Sequence, residues 1–270
     1  MKKEFLFLFL LFIYSCSSDI HVEKNLNYIK NSKDERQKLD IYYKQGLKKA
    51  PVLIFAHGGA WRSGSKDNFN EFAMSFAKEG IIVVVPNYRL SPLHKHPSQV
   101  SDLANSFKWV RDNIASYGGN PNRIFLSGHS SGGHLVSLLA LDRSYLGERK
   151  NDPAAIAGVI AISSPLEISF SRSSIALDWY KENFGEDTSC WKNASPYHYI
   201  NRNSPKFLLI YGGKDYEVLN LIYNDFKRRL DSLNIENSLY IAEKYDHVGT
   251  ILYANKGTIR KQILSFILKD

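Results

Sequence analysis

Cysteine is scarce in this chain, and its scarcity removes several classes of structure. Only Cys16 and Cys190 occur in the 270 residues, which is too few for a disulfide-stapled scaffold or a four-cysteine zinc site. No sequence period of 20 to 50 residues repeats along the chain, so a solenoid or a propeller is not expected. Apolar residues make up 44% and charged residues 23%, which is ordinary for a globular protein.

Long runs of like charge are also absent. The formal net charge is +8, but lysine and arginine are scattered, and no run of five or more basic residues occurs. Nucleic-acid binding usually requires a basic stripe or a known binding module, and the sequence contains neither. We therefore expect a solvated basic surface and no nucleic-acid partner.

The first sixteen residues indicate export. Two lysines precede an apolar run over residues 5–14, which is about half the length of a membrane-spanning helix and suits a secretory signal. Residues 13–16 resemble the lipobox of bacterial lipoproteins. The resemblance implies that Cys16 becomes the lipidated first residue and anchors the exported protein to a membrane. A plain signal peptide cut near Cys16 is the alternative. The polar residues 17–30 are interpreted as a tether to a domain over 31–270.

Short apolar runs alternate with amphipathic stretches over that domain. The runs are rich in β-branched and aromatic residues and are predicted as buried strands: Val52–Ala56, Ile81–Val85, Ile124–Ser127, Ala157–Ile162, Phe207–Tyr211 and Leu239–Ala242. The amphipathic stretches are predicted as helices: Gln99–Tyr117, Ser131–Leu141, Leu219–Leu233 and Thr258–Leu268. This alternation predicts an α/β fold with a mostly parallel sheet covered by helices on both faces.

Residues 163–204 interrupt the alternation. This segment contains several aromatic residues among polar residues and prolines: Trp179, Tyr180, Phe184, Trp191 and Tyr197. A long segment without a strand often carries function. We interpret it as a small cap over the carboxyl edge of the sheet, with the aromatic residues lining a pocket. The alternative is that they pack the insertion onto the core.

A candidate nucleophile follows the third predicted strand. Residues 128–133 read GHSSGG and contain the pattern G-x-S-x-G between a predicted strand and a predicted helix. This arrangement is a nucleophile elbow, in which a tight turn exposes the serine hydroxyl at a helix start. Ser130 has glycine two residues away on both sides, so Ser130 is the predicted nucleophile, and Ser131 would offer its backbone N–H.

A serine nucleophile needs a base, and after an elbow the expected order is serine, acid, histidine. Only His198 and His247 follow as plausible bases, and we favour His247 because it follows the last predicted strand. Asp215 follows the strand Phe207–Tyr211 and is the favoured acid. Asp246 and Glu217 remain alternatives for the acid.

A glycine pair follows the first predicted strand, within residues 56–61. Such a pair lets backbone N–H groups face an incoming oxyanion, although a simple tight turn would use glycine in the same way. His57 precedes the glycines and is expected to order the loop.

Together these motifs resemble an α/β-hydrolase of the serine-esterase kind. The resemblance covers about residues 38–268 and rests on five segments: HGGAW (57–61), NYRLSP (87–92), GHSSGGHL (128–135), GGKD (212–215) and the DH pair (246–247). It implies a Ser130–His247–Asp215 triad, oxyanion donors at Gly59, Ala60 and Ser131, and no metal or organic cofactor.

The implied function is hydrolysis of a carboxylic ester through an acyl-enzyme. A small-molecule ester or an acylated sugar is the expected substrate, because either suits an exported enzyme. An amide hydrolase similar to kynurenine formamidase is the alternative within the same resemblance, and a non-catalytic binding protein on the same fold is the third. No sequence pattern predicts the oligomeric state.

Overall fold

The computed structural model of the protein describes residues 20–168 and 174–269. The predicted signal segment and Cys16 lie outside these residues. The strands within them are β1 (Ile20–Asn27), β2 (Lys38–Lys44), β3 (Ala50–Ala56), β4 (Ile82–Pro86), β5 (Gly119–His129), β6 (Ile156–Ile162), β7 (Phe207–Gly212) and β8 (Asn237–Ala242). The α-helices are α1 (Asn70–Ala77), α2 (Ser98–Asn113), α3 (Ser131–Leu141), α4 (Ser144–Gly147), α5 (Ser174–Phe184), α6 (Glu217–Ser232), α7 (His247–Leu252) and α8 (Gly257–Leu268).

One sheet joins the eight strands in the order β1-β2-β4-β3-β5-β6-β7-β8. β1 and β2 run antiparallel to their neighbours, whereas β3 to β8 are parallel. Helices α2, α3 and α6 bury their apolar residues against one face, and α1 and α8 cover the other. The α/β-hydrolase fold with a mostly parallel sheet and helices on both faces is therefore confirmed. Across the described residues, no helix has the length and apolar character that a membrane crossing requires.

The tether predicted over residues 17–30 is wrong from Ile20 onward, because residues 20–27 form β1. This strand pairs with β2 at the edge of the sheet, and most of its side chains are exposed. An exposed edge strand requires few apolar residues, which explains why its polar sequence resembles a linker. The folded domain thus begins before residue 31.

The carboxyl ends of the central strands meet at one edge of the sheet. Ala56 at the end of β3 pairs with Gly128 in β5, and His129 pairs with Ile162 at the end of β6. Gly212 at the end of β7 pairs with Ala242 at the end of β8. Segments that follow these strands are consequently neighbours, although they lie far apart in sequence.

The insertion between β6 and β7 contains α5 and two short 3-10 segments, Thr188–Ala194 and Pro196–Tyr199. The pocket-lining interpretation of its aromatic residues is wrong for Tyr180 and Trp191, which are only 6% and 3% exposed. Tyr180 and Phe184 instead pack edge-on against Trp61, which directly follows Ala60. Burial of these rings fixes the insertion to the core beside the β3 loop.

Candidate active site

Ser130 occupies a strained turn between β5 and α3. Its φ and ψ angles are 53° and −124°, a region that residues other than glycine rarely adopt. Its amide donates a hydrogen bond to the Ile162 carbonyl over 2.9 Å, which continues the β5–β6 pairing past the end of the strand. This turn holds the Ser130 side chain at the carboxyl edge of the sheet, as a nucleophile elbow requires.

Two glycines allow the chain to turn this tightly. A Cβ atom at Gly128 would lie 2.4 Å from the Gly132 carbonyl carbon, and one at Gly132 would lie 2.2 Å from the Ala56 carbonyl oxygen. Both distances are too short for any side chain. The spacing of the motif is therefore set by close contact between β5, the first turn of α3 and the end of β3.

The structure brings the Ser130, His247 and Asp215 side chains into a single hydrogen-bonded line. His247 Nε2 lies 3.0 Å from Ser130 Oγ, and His247 Nδ1 lies 2.9 Å from Asp215 Oδ1. With the proton on Nδ1, the imidazole donates to the carboxylate and accepts from the serine hydroxyl. This arrangement can remove a proton from Ser130 and can stabilise the imidazolium that forms.

Asp215 is a buried carboxylate. Its side chain is 1% exposed, whereas that of His247 is 21% exposed. Burial raises the pKa of Asp215, but hydrogen bonds and the charge of His247 outweigh burial and hold the pKa below its usual value of 3.8. The Tyr216 amide contributes one of these bonds, donating to Asp215 Oδ1 over 2.8 Å. Asp215 is thus ionised at neutral pH.

The alternative acids and base make other contacts. The Asp246 side chain accepts a hydrogen bond from the Gly249 amide over 2.7 Å and caps the start of α7. Glu217 is the first residue of α6. His198 lies 3.9 Å from Glu167 in the insertion. In the part of the chain that the structure describes, none of these three side chains forms a hydrogen bond or an ion pair with the side chain of Ser130 or His247.

The loop after β3 passes directly beside Ser130. A Cβ atom at Gly58 would lie 3.3 Å from the Cβ atom of Ser130. Gly59 and Ala60 both have positive φ angles, 125° and 51°. Within residues 20–168 and 174–269, the amides of Gly59, Ala60 and Ser131 have no hydrogen-bond acceptor. Amide groups with no acceptor beside a serine hydroxyl can receive a developing oxyanion.

Arg36 supports this loop, and sequence reasoning missed it. Its guanidinium donates to the Tyr88 carbonyl over 3.1 Å, to the Gly64 carbonyl over 3.0 Å, and to His57 Nε2 over 3.2 Å. The Tyr88 hydroxyl donates to the His57 carbonyl over 2.7 Å, and the two rings stack at 4.3 Å. Arg36 lies outside every recognisable motif, so no local pattern would have identified it.

His57 and two further histidines near the site are buried and neutral. Burial lowers the pKa of His57 to about 4, and that of His129 and of His134 to about 3. His134 accepts a hydrogen bond from the Trp61 indole over 3.2 Å and donates to the Ala194 carbonyl over 2.7 Å. In the described part of the chain, no cluster of histidine, cysteine and carboxylate side chains has an arrangement that would bind a metal.

Comparison with known proteins identifies related sequences. The BD-FAE family model matches residues 39–230, which is more than half of the chain and includes Ser130 and Asp215. Esterase LipC of Mycobacterium tuberculosis is 31% identical over 197 residues, which covers 67% of this chain and 49% of LipC. The chain spans about half the length of the first curated relatives that it matches.

Solved structures share the fold. The crystal structure of Esterase B from Lactobacillus Rhamnosis superposes with a TM-score of 0.79 at 22% sequence identity. The superposition covers 92% of this chain and 84% of the Esterase B chain. A truncated carbohydrate esterase from gut microbiota also has a TM-score of 0.79, at 21% identity, and covers 92% of this chain and 95% of its own. At these identities the likeness establishes the architecture of the sheet and its helices.

Proposed function

The chain belongs to the BD-FAE family, and we propose that it hydrolyses carboxylic esters with Ser130 as the nucleophile. The observation that carries this proposal is the line of hydrogen bonds from Ser130 through His247 to Asp215, at 3.0 and 2.9 Å. A second support is the row of amides without acceptors beside Ser130.

The reaction begins when Ser130 Oγ attacks the ester carbonyl carbon and His247 Nε2 takes the hydroxyl proton. Asp215 holds the imidazole in the tautomer that accepts this proton and stabilises the resulting imidazolium. The imidazolium then protonates the departing alcohol, which leaves an acyl group on Ser130. Water attacks this acyl-enzyme, releases the carboxylic acid and restores the serine.

The oxyanion forms on the carbonyl oxygen in both steps. The amides of Gly59, Ala60 and Ser131 would donate hydrogen bonds to it, and each such bond contributes about 3 kcal/mol to transition-state stabilisation in comparable enzymes. Because these donors are backbone groups, their position depends on the loop and the elbow, and side chains act on it only by holding that backbone.

For the substrate, we propose a small acyl ester or an acylated sugar. The support is the position of Tyr216, a residue that is 62% exposed and whose ring lies 5.1 Å from the His247 ring. His247 protonates the leaving alcohol, so an exposed ring next to His247 would be within reach of that alcohol. A flat aromatic surface there suits stacking of a cyclic alcohol.

The deciding experiment measures the hydrolysis of p-nitrophenyl acetate and the labelling of the protein by a fluorophosphonate. Wild type should react with both, and Ser130→Ala with neither. Ser116→Ala, which changes an exposed serine, is the control and should match wild type. Failure of wild-type labelling would favour the non-catalytic binding protein, and faster hydrolysis of an N-formyl arylamine than of any ester would favour the formamidase alternative.

We also propose that the protein is exported and anchored to a membrane through Cys16. The support is the lipobox-like segment at residues 13–16, preceded by a short apolar run. Cells expressing the full chain should incorporate labelled palmitate into the wild type and not into Cys16→Ser. Equal incorporation into both proteins would contradict the proposed anchor, and Cys190→Ser is the matched control.

A further inference from the structure

The backbone carbonyl of His247 accepts two side-chain hydrogen bonds. His247 is the first residue of α7. His129 Nε2 lies 2.9 Å from its carbonyl oxygen, and the Thr250 hydroxyl donates to the same oxygen over 2.7 Å. His129 is 7% exposed and Thr250 is fully buried. Two side chains that are themselves fixed by packing thus hold the main chain of the catalytic base, His247.

The tautomer of His129 follows from its acceptor. A carbonyl oxygen only accepts, so His129 Nε2 carries the hydrogen and donates. Burial lowers the pKa of His129 to about 3, which keeps the ring neutral at any pH where the protein would work. The other ring nitrogen, Nδ1, faces the loop after β3, since a Cβ atom at Gly58 would lie 3.1 Å from it. His129 therefore lies between the base and the oxyanion loop.

Thr250 connects this contact to a further strand. Its Oγ1 also lies within hydrogen-bond distance of Ser163 Oγ, at 3.0 Å. Ser163 follows β6, and its amide donates to the Ile210 carbonyl of β7 over 2.7 Å. Contacts with residues at the ends of β5, β6 and β7 consequently fix the position of the His247 main chain.

We propose that His129 is a positioning residue that sets the distance between the Ser130 hydroxyl and the His247 ring. His129 directly precedes Ser130, so its bond to the His247 carbonyl and the Ser130–His247 bond close a small ring of contacts. A displacement of about 1 Å at such a site costs about 100-fold in rate. The inference rests on the proposed function, because it assigns no chemistry of its own to His129.

Two amide side chains separate this role from simple packing. In His129→Gln the amide nitrogen reaches the place of Nε2, whereas in His129→Asn it reaches only the place of Nδ1. We expect His129→Ala and His129→Asn to lower kcat about 10- to 100-fold with KM nearly unchanged, and His129→Gln to stay within about five-fold of wild type. Packing alone would not favour glutamine over asparagine.

The same variants are tested by the rate at which fluorophosphonate labels Ser130, with melting temperatures measured in parallel. His21→Ala is the matched control, because His21 is exposed on β1. Thr250→Val removes the second donor to the same carbonyl while keeping the shape of the side chain. It should lower kcat less than His129→Ala does, and it tests the inference if the His129 variants fold poorly.

The outcomes distinguish this inference from the function on which it rests. No labelling of wild type would overturn the proposed function. Labelled wild type with equal rates in the alanine, asparagine and glutamine variants, whether reduced or not, would overturn the positioning role alone. A rate order of wild type, glutamine, asparagine with similar KM values would support it.

Discussion

The two sides of Ser130 are held by different kinds of contact. On the base side, Asp215 and His247 follow β7 and β8 directly, and the side chains bond to each other. On the oxyanion side, the groups that face the substrate are backbone amides. That loop is held by Arg36, by Tyr88 and by aromatic packing of α5 on Trp61.

Function and stability separate on the base side and change together on the oxyanion side. On the base side a side chain performs the chemistry, so a substitution there changes the rate while the fold persists. On the oxyanion side the side chains only place the backbone, so a substitution there lowers stability and rate together.

Asp215→Asn should produce the largest effect that leaves the fold intact. The asparagine side chain has one oxygen and one NH2 group, and an NH2 group that donates to His247 Nδ1 holds the imidazole in the wrong tautomer. A fall in kcat of about 10⁴-fold is expected, as for the same change in other triads. The measurement is steady-state hydrolysis of an acetate ester.

Asp246→Asn is the matched control for that experiment. Asp246 is the residue next to His247 and caps α7, and asparagine caps a helix as well as aspartate does. This variant should keep its rate within about two-fold of wild type. A loss below ten-fold in Asp215→Asn, or an equal loss in both variants, would contradict the assignment of the acid.

On the oxyanion side, Arg36→Met should lower both the stability of the protein and the rate of hydrolysis. It leaves the Tyr88 and Gly64 carbonyls without their donor, and leaving buried polar groups unpaired costs about 1–3 kcal/mol of unfolding free energy each. The freed loop should also lower kcat about 10- to 100-fold, through misplaced amides. Urea unfolding and steady-state kinetics on the same sample measure the two effects.

Arg260→Met provides the comparison for Arg36→Met. Arg260 also donates to a carbonyl, that of Ser75 over 2.9 Å, and pairs with Glu79, but it joins α8 to α1. The Arg260→Met variant should have a lower unfolding free energy, whereas the kcat of the folded enzyme should stay at the wild-type level. If Arg36→Met lost only stability as well, the loop would not depend on Arg36 for its position.

The same contrast explains what the sequence predicted and what it did not. The six strands from β3 to β8 were predicted to within a few residues over their apolar runs, because short apolar runs rich in β-branched and aromatic residues favour strands. β1 was missed because an exposed edge strand needs few apolar residues. β2 was not predicted either, although Leu39 and Ile41 in it are fully buried.

At the site, chain order and motif spacing were sufficient to select the three side chains that the structure brings together. Each of them follows a strand in a short loop, so a local pattern indicates it. Arg36 contacts the site through the fold alone, and its neighbours in sequence carry no comparable pattern. Packing across distant segments is the information that one sequence lacks.

Acid should destabilise the fold between about pH 6.5 and 4, where the buried histidines are neutral in the folded protein. Burial lowers the pKa of His57 and His96 to about 4, and that of His134 to about 3, from 6.5. The unfolded chain binds more protons than the folded one below pH 6.5, so stability falls as pH drops from 6.5 towards 4. Each histidine contributes about 1.4 kcal/mol per pH unit at most in that window.

Asp215 acts in a lower pH window, and its pKa is lowered as well. Its pKa is depressed below 3.8, so its contribution to stability is present above that value and is lost as pH falls through the folded pKa.

Urea unfolding at pH 7, 6, 5 and 4 measures how steeply the unfolding free energy falls with pH in the histidine window. His134→Gln should reduce the slope between pH 6 and 4, and an unchanged slope would contradict the neutral state of that ring.

The ion pair between Arg62 and Glu182 should matter least. It joins the oxyanion loop to α5 at 3.5 Å, but its side chains are 45% and 26% exposed, and exposed pairs contribute about 0–1 kcal/mol. Glu182→Gln should therefore change unfolding free energy by about 0.5 kcal/mol or less. The control is Lys181→Gln, which breaks a pair with Glu186 on the solvent side of the same helix. If Glu182→Gln cost clearly more than the control, and the excess vanished in high salt, charge rather than the rings packed on Trp61 would be what holds α5 against the loop.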